Sequence, residues 1–359
     1  MLRCVPGSGL SHSFHSTICF FLAACIGLLI RPWSKPAEHE SIESPGVFVH
    51  LSVCPSLWRI YLCSLTSFIF AATTTTMPLT NSPQLQLFAL VQIVYGVASI
   101  FNLFDTCSLL TGRSCSQDEL FLLSIVGTLI FVIGIGFFLL TTIAYDDVPK
   151  KKRLAFVAMY CVSAQISAAI MAGRTPTGIM PVGIHVAEVS VQIALFLILS
   201  TAVWGDLPLA GYENPTRGGM TKIFNGAYAL FLLCWVYVNS DVFGYSDVFA
   251  EPDKSSSGVY HFFSQAISVY AFEMFILYGF GVMYGTDDDN ELLAELAIFK
   301  NVCLTLQLIW FYSEGAVTSS MVKIITIETC VVAAVGLLAV FIQRKKRNSD
   351  YESLGGLVR

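Results

Sequence analysis

Reading from Gln84, apolar positions gather into eight runs, roughly 85–104, 120–144, 154–172, 179–204, 222–238, 262–284, 292–312 and 321–343, separated by short polar breaks. Each run is close to the ~20 residues that carry a helix across a bilayer, and a helix lets a single segment satisfy its own backbone hydrogen bonds in lipid. The pattern predicts an all-α integral membrane protein, a polytopic bundle of about eight transmembrane helices. Upstream the pattern weakens. Thr17–Ile30 holds 14 mostly apolar residues, closer to a signal-peptide core than to a span, and Leu57–Ala72 is similarly short and contains Arg59. Residues 1–76 therefore have two readings, a signal-like N-terminal segment or sequence upstream of a true start at Met77.

Composition sharpens the class. Of 359 residues, 55% are apolar and 13% charged, against roughly 45–50% and 25% in soluble proteins. Too few charged side chains remain to coat a water-facing surface, so a soluble globule is excluded and the lipid bilayer is the expected partner. The net charge of −5 is scattered. Without a basic stripe, nucleic acid is not an expected partner.

Orientation follows from lysine and arginine in the short loops. Lys150, Lys151, Lys152 and Arg153 join spans two and three, Arg217 and Lys222 precede span five, and Arg344, Lys345, Lys346 and Arg347 follow span eight. With eight spans all ten lie on one side, against Arg113, Arg174 and Lys254 in the opposite loops, and Lys323 narrows the contrast slightly. The basic side is expected to be cytosolic, as are both termini if residues 1–76 are absent or cross an even number of times. One loop dissents, because Gly285–Glu291 falls on the basic side yet carries Asp287, Asp288, Asp289 and Glu291.

Spans one to four and five to eight read as two copies of one unit. Cys161, Ser163, Gln165 and Gly173 parallel Cys303, Thr305, Gln307 and Gly315 at the same spacings. Asp146 and Asp147 precede one third span as Asp287 and Asp288 precede the other, and Glu188 and Glu328 sit at similar depth in the fourth spans. The first spans agree at Ile93, Gly96, Ile100 and Phe101 against Ile223, Gly226, Leu230 and Phe231. Four spans per unit is an even number, so the copies would be tandem parallel four-helix repeats related by an axis along the membrane normal. The expected organisation is a first unit over 77–204, a linker over 205–221, a second unit over 222–343 and a basic cytosolic tail over 344–359.

Ionisable side chains inside spans cost roughly 2.5–3.5 kcal/mol at mid-bilayer on insertion scales, so each needs a partner, a cavity or an edge position. His185, Glu188 and Gln192 fall on one face of span four, Glu273 lies in span six, Lys300 and Asn301 in span seven, and Glu328 in span eight. These are the candidate substrate or ion pathway, with Lys300 between Glu328 and Glu273 as an expected buried charge network. Gln165 and Gln307 fit interhelical glue better, and the same bland reading stands beside the pathway for the charged set. Met159 and Val132 occupy roughly the places of Lys300 and Glu273 in the first copy, so the second keeps the fuller charge set.

No HExxH, GxSxG, P-loop or paired CxxC occurs, so no catalytic residue, metal ligand or cofactor is assigned. Cys107 and Cys115 share a non-cytosolic loop where an oxidising compartment would permit a disulfide. Asn81 and Asn214 are not glycan acceptors, since Pro83 and Pro215 spoil their contexts. In the tail, Tyr351–Leu354 fits the tyrosine-x-x-hydrophobic sorting pattern that clathrin adaptors bind as an extended peptide, pointing to a plasma, endosomal or lysosomal membrane. The leading expectation is a transporter or channel-like protein for a small solute or ion, through a polar path between the repeats. A lipid- or sterol-modifying membrane enzyme and a non-catalytic scaffold are the alternatives.

Overall fold

The computed structural model describes residues 82–143, 148–173, 182–203, 219–239, 258–315, 317 and 319–357. Expectations for residues 1–76, for Asp146 and Asp147, and for most of the 205–221 linker lie outside the described residues.

Every regular element among these residues is a helix: α1 Pro83–Ile100, α2 Thr106–Thr111, α3 Gln117–Ile143, α4 Val148–Gly173, α5 Val182–Val203, α6 Met220–Asn239, α7 Gly258–Tyr284, α8 Asp287–Ser313 and α9 Ser319–Leu357, with one 3-10 turn at Leu103–Asp105. Eight of them, all but α2, are long and apolar enough to cross a membrane, which is compatible with a multi-pass membrane protein.

Three boundaries differ from the apolar runs, each for a local reason. The first run extends to 104, but α1 stops at Ile100, because Asn102, Phe104 and Asp105 adopt positive φ. Asn102 tolerates that conformation, and its Oδ1 accepts from the Cys107 amide at 2.8 Å, turning the chain into α2. The acidic run at 287–291 opens α8 rather than forming a loop. Thr286 accepts from the Asp289 amide while Asp289 accepts from the Thr286 amide, a capping box, and Asp287–Asp289 complement the positive end of the helix dipole. At the C-terminus, the expected tail is helical. α9 continues through the basic cluster to Leu357, taking Tyr351–Leu354 into a helix instead of the extended form of a sorting peptide.

Burial is arranged inside out relative to a soluble bundle. In its most apolar window α3 is 94% buried and α8 78%, while α5 is only 22% buried. Large apolar side chains such as Leu90, Val94, Leu197, Leu230, Ile327 and Phe341 are exposed on the outer helices, forming an apolar outside that suits lipid and would be a liability in water. Small residues bring α1 against α3. A Cβ at Gly127 would sit 2.6 Å from the Ile100 amide nitrogen, and one at Gly96 2.6 Å from that of Phe131, so only glycine permits this approach.

The helices pair in a regular way. α1 packs along α3 and α6 along α7, while α4 packs on α5 and α8 on α9. Between these groups α3 meets α7 directly, α3 also meets α8, and α7 also meets α4.

Candidate functional site

Among α1, α3, α4, α5 and α7 lies a cavity of about 330 Å³. Its wall is lined by Tyr95 of α1, Leu110 of α2, Leu123 and Val126 of α3, Gln165 and Ala169 of α4, and Glu188 of α5. α7 closes the other side with Phe262, Phe263, Gln265, Ala266, Ser268, Val269 and Tyr270. The cavity lies toward the end of the bundle carrying α2, away from Lys150 and Arg344. Gln265 is exposed, whereas Phe263 and Tyr270 are buried. Glu188 is the one charged side chain on this wall among the described residues.

Behind the wall a chain of amides reaches a second carboxylate. Gln92 donates to Gln165 at 3.4 Å, and Gln165 donates to Glu273 Oε2 at 3.0 Å. Glu273 is fully buried, and its Oε1 has no hydrogen-bond partner. One oxygen of Glu188 and the Gln192 carbonyl oxygen are likewise buried without a donor. Buried acceptors left unsatisfied are costly, and of these residues Glu188 lines the cavity while Glu273 and Gln192 do not. His185 shares the helical face of Glu188, but it does not line the cavity.

Lys300 belongs to a separate cluster. Its fully buried ammonium lies 3.8 Å from Glu328, an ion-pair distance beyond hydrogen-bond reach, and 4.8 and 5.4 Å from the ring centroids of Trp235 and Tyr228. A cation held over aromatic faces and beside a carboxylate is stabilised by both. Asn301 donates to the Tyr228 hydroxyl at 3.2 Å, and Thr329 ties α9 to the Asn301 carbonyl at 3.1 Å. The ion-pair partner of Lys300 is thus Glu328, while Glu273 is engaged by Gln165. Gln307 donates to Thr128 of α3 at 2.6 Å.

At the basic end the acidic start of α8 is a counter-charge. Lys150 pairs with the buried Asp289 at 2.6 Å. Arg344 bonds Glu291 and, at 2.7 Å, Glu295, while Arg347 bonds Asp288 and Glu291. Three of the acidic residues that dissent from the loop-charge pattern, Asp288, Asp289 and Glu291, therefore pair with Lys150 of one basic cluster and with Arg344 and Arg347 of the other. At the opposite end Cys107 and Cys115 form a disulfide with their α-carbons 6.1 Å apart, and Arg113 pairs with Glu119 at 2.6 Å.

The sequence reading reached Glu188, Gln165, Glu273, Lys300 and Glu328, but not Tyr95, Tyr270, Gln92, Trp235 or Tyr228. The four aromatic residues each carry one polar group on a mostly apolar body, so in an apolar run they read as core. The available signal was the glutamine pair Gln92 and Gln165, neutral amides in facing spans.

Compared with models of known families, with curated proteins and with solved structures, the chain matches none.

Proposed function

We propose that this protein is an integral membrane carrier that moves a small cationic solute or ion through the acidic cavity between two duplicated four-helix units, α1 with α3–α5 and α6–α9. The observation that carries the reading is the cavity itself, which faces Glu188 and, through Gln165, communicates with Glu273 of the other unit. An enzyme acting on lipid would be expected to group His185 with Glu188, yet His185 is off the wall; a scaffold would leave its charges paired without a cavity.

The helix packing supports the duplication. Exchanging α1 for α6, α3 for α7, α4 for α8 and α5 for α9 maps each major helix contact onto another, with α3 against α7 mapping onto itself. Gln165 and Gln307 each reach from a third span to the second span of the other unit. A parallel pair of units with a shared axis gives a carrier two bodies that can rock about a central site. With the basic end in the cytosol, the cavity in this conformation faces the non-cytosolic side.

The test is electrogenic flux in proteoliposomes containing the full chain, with gradients of protons, sodium, potassium and protonated amines applied in turn. The reading expects current with at least one cation and its loss in Glu188→Gln. Folded protein that carries none of these cations above empty liposomes contradicts it.

A further inference from the structure

We infer that the cavity is a binding site for an organic ammonium ion, held between a carboxylate and aromatic faces in the way the Lys300 ammonium is held elsewhere in the bundle. The inference deepens the carrier reading and rests on its cavity. In the second unit an ammonium sits between the Glu328 carboxylate at 3.8 Å and two aromatic faces at 4.8 and 5.4 Å. The cavity has the same kind of wall around empty space: Glu188 lies in the fourth span of its unit, as Glu328 does in the other, and no lysine or arginine side chain lines the cavity among the described residues.

The wall suits such a guest. Glu188 supplies one negative charge and a buried oxygen without a donor. Tyr95, Tyr270, Phe262 and Phe263 supply aromatic surface for the face of a cation and for an apolar body. A bare divalent cation requires about six to eight oxygen ligands, and this largely apolar wall does not gather them. The volume of about 330 Å³ lies at the small end of the ~300–1,000 Å³ usual for ligand sites, which selects a compact amine. Glu188 at the wall discriminates against anions, and burial of its oxygen discriminates against neutral isosteres that bring no charge-assisted donor.

The test uses the full chain in lipid nanodiscs and three ligands of one shape, benzylammonium, benzyl alcohol and benzoate, with affinity read by calorimetry. Benzylammonium is expected to bind at least tenfold more tightly than either of the others. Glu188→Gln should remove that preference, and Ala266→Phe, which fills the cavity without touching a charge, should abolish binding. Lys323→Gln, exposed on α9, should leave it unchanged. If Glu188→Gln does not fold, Ala266→Phe alone decides. Equal affinity for benzyl alcohol, undiminished binding in either cavity variant, or no binding to the parent chain overturns the site. Selective binding without any current in proteoliposomes upholds the site and removes the carrier reading, whereas current carried by inorganic cations with no amine binding removes the site and leaves the carrier.

Discussion

The pair between Lys150 and Asp289 ties α4 to α8 at the basic end. Asp289 is fully buried, and its carboxylate accepts from Lys150 at 2.6 Å, from the Thr286 amide at 2.7 Å and from the Thr286 hydroxyl at 2.8 Å. Lys150→Met removes the only cationic donor among these and leaves a buried carboxylate with two neutral ones. Breaking a buried pair from one side costs about 3–5 kcal/mol; the two retained donors place this site near the lower figure, about 3 kcal/mol. Asp289→Asn in the same background lifts the uncompensated charge and keeps an acceptor for the Thr286 cap. The double variant should therefore be more stable than the sum of the single losses by at least ~1 kcal/mol. Equilibrium unfolding in mixed micelles over a detergent gradient measures all four corners of the cycle. Additivity within about 0.5 kcal/mol would refute the coupling.

Other expectations follow from single features. Reporter cysteines replacing Lys151 and Ser349 should label with an impermeant thiol reagent from the same face of sealed vesicles, and labelling from opposite faces would undo the eight-span arrangement. Gly127→Ala should destabilise by about 1–3 kcal/mol, since its Cβ would meet the Ile100 backbone at 2.6 Å, whereas Gly183→Ala, with nothing within 4 Å, should be close to neutral in the same unfolding assay. Lys300→Met and Glu328→Gln should each lower folded yield more than the double substitution does; additive losses would mean that the 3.8 Å pair contributes no coupling.

The apolar runs make the eight long helices legible because lipid-compatible helices need length and little else. What lay outside the pattern was tertiary. The cluster Arg344–Arg347 reads as a stop after a span, yet its links to Glu291, Glu295 and Asp288 accompany a helix that continues past it. The aspartates at 287–289 read as a topological dissent, and their roles as cap and counter-charge depend on partners more than a hundred residues away for Lys150 and more than fifty for Arg347. The carboxylates were found by charge alone, but their grouping was not. Glu273 is joined to Gln165 and Lys300 to Glu328 because helix packing, rather than attraction along one helix, decides which polar groups meet. The cavity wall depends on tyrosine and phenylalanine positions indistinguishable from core in an apolar run.

The central claim is that an acidic, water-reachable cavity opens within the bundle on the side away from the basic clusters. Ala169 lines it at 7% exposure, so Ala169→Cys offers a thiol on its wall. The measurement is the rate of modification of that cysteine in sealed, oriented vesicles by methanethiosulfonates bearing either a trimethylammonium or a sulfonate group, against the parent chain as background. The account predicts reaction only from the non-cytosolic face, at least tenfold faster with the cationic reagent, and a preference that disappears when Glu188→Gln is added. Equal rates for the two reagents with Glu188 intact, or labelling from the face that carries Lys150, would contradict it.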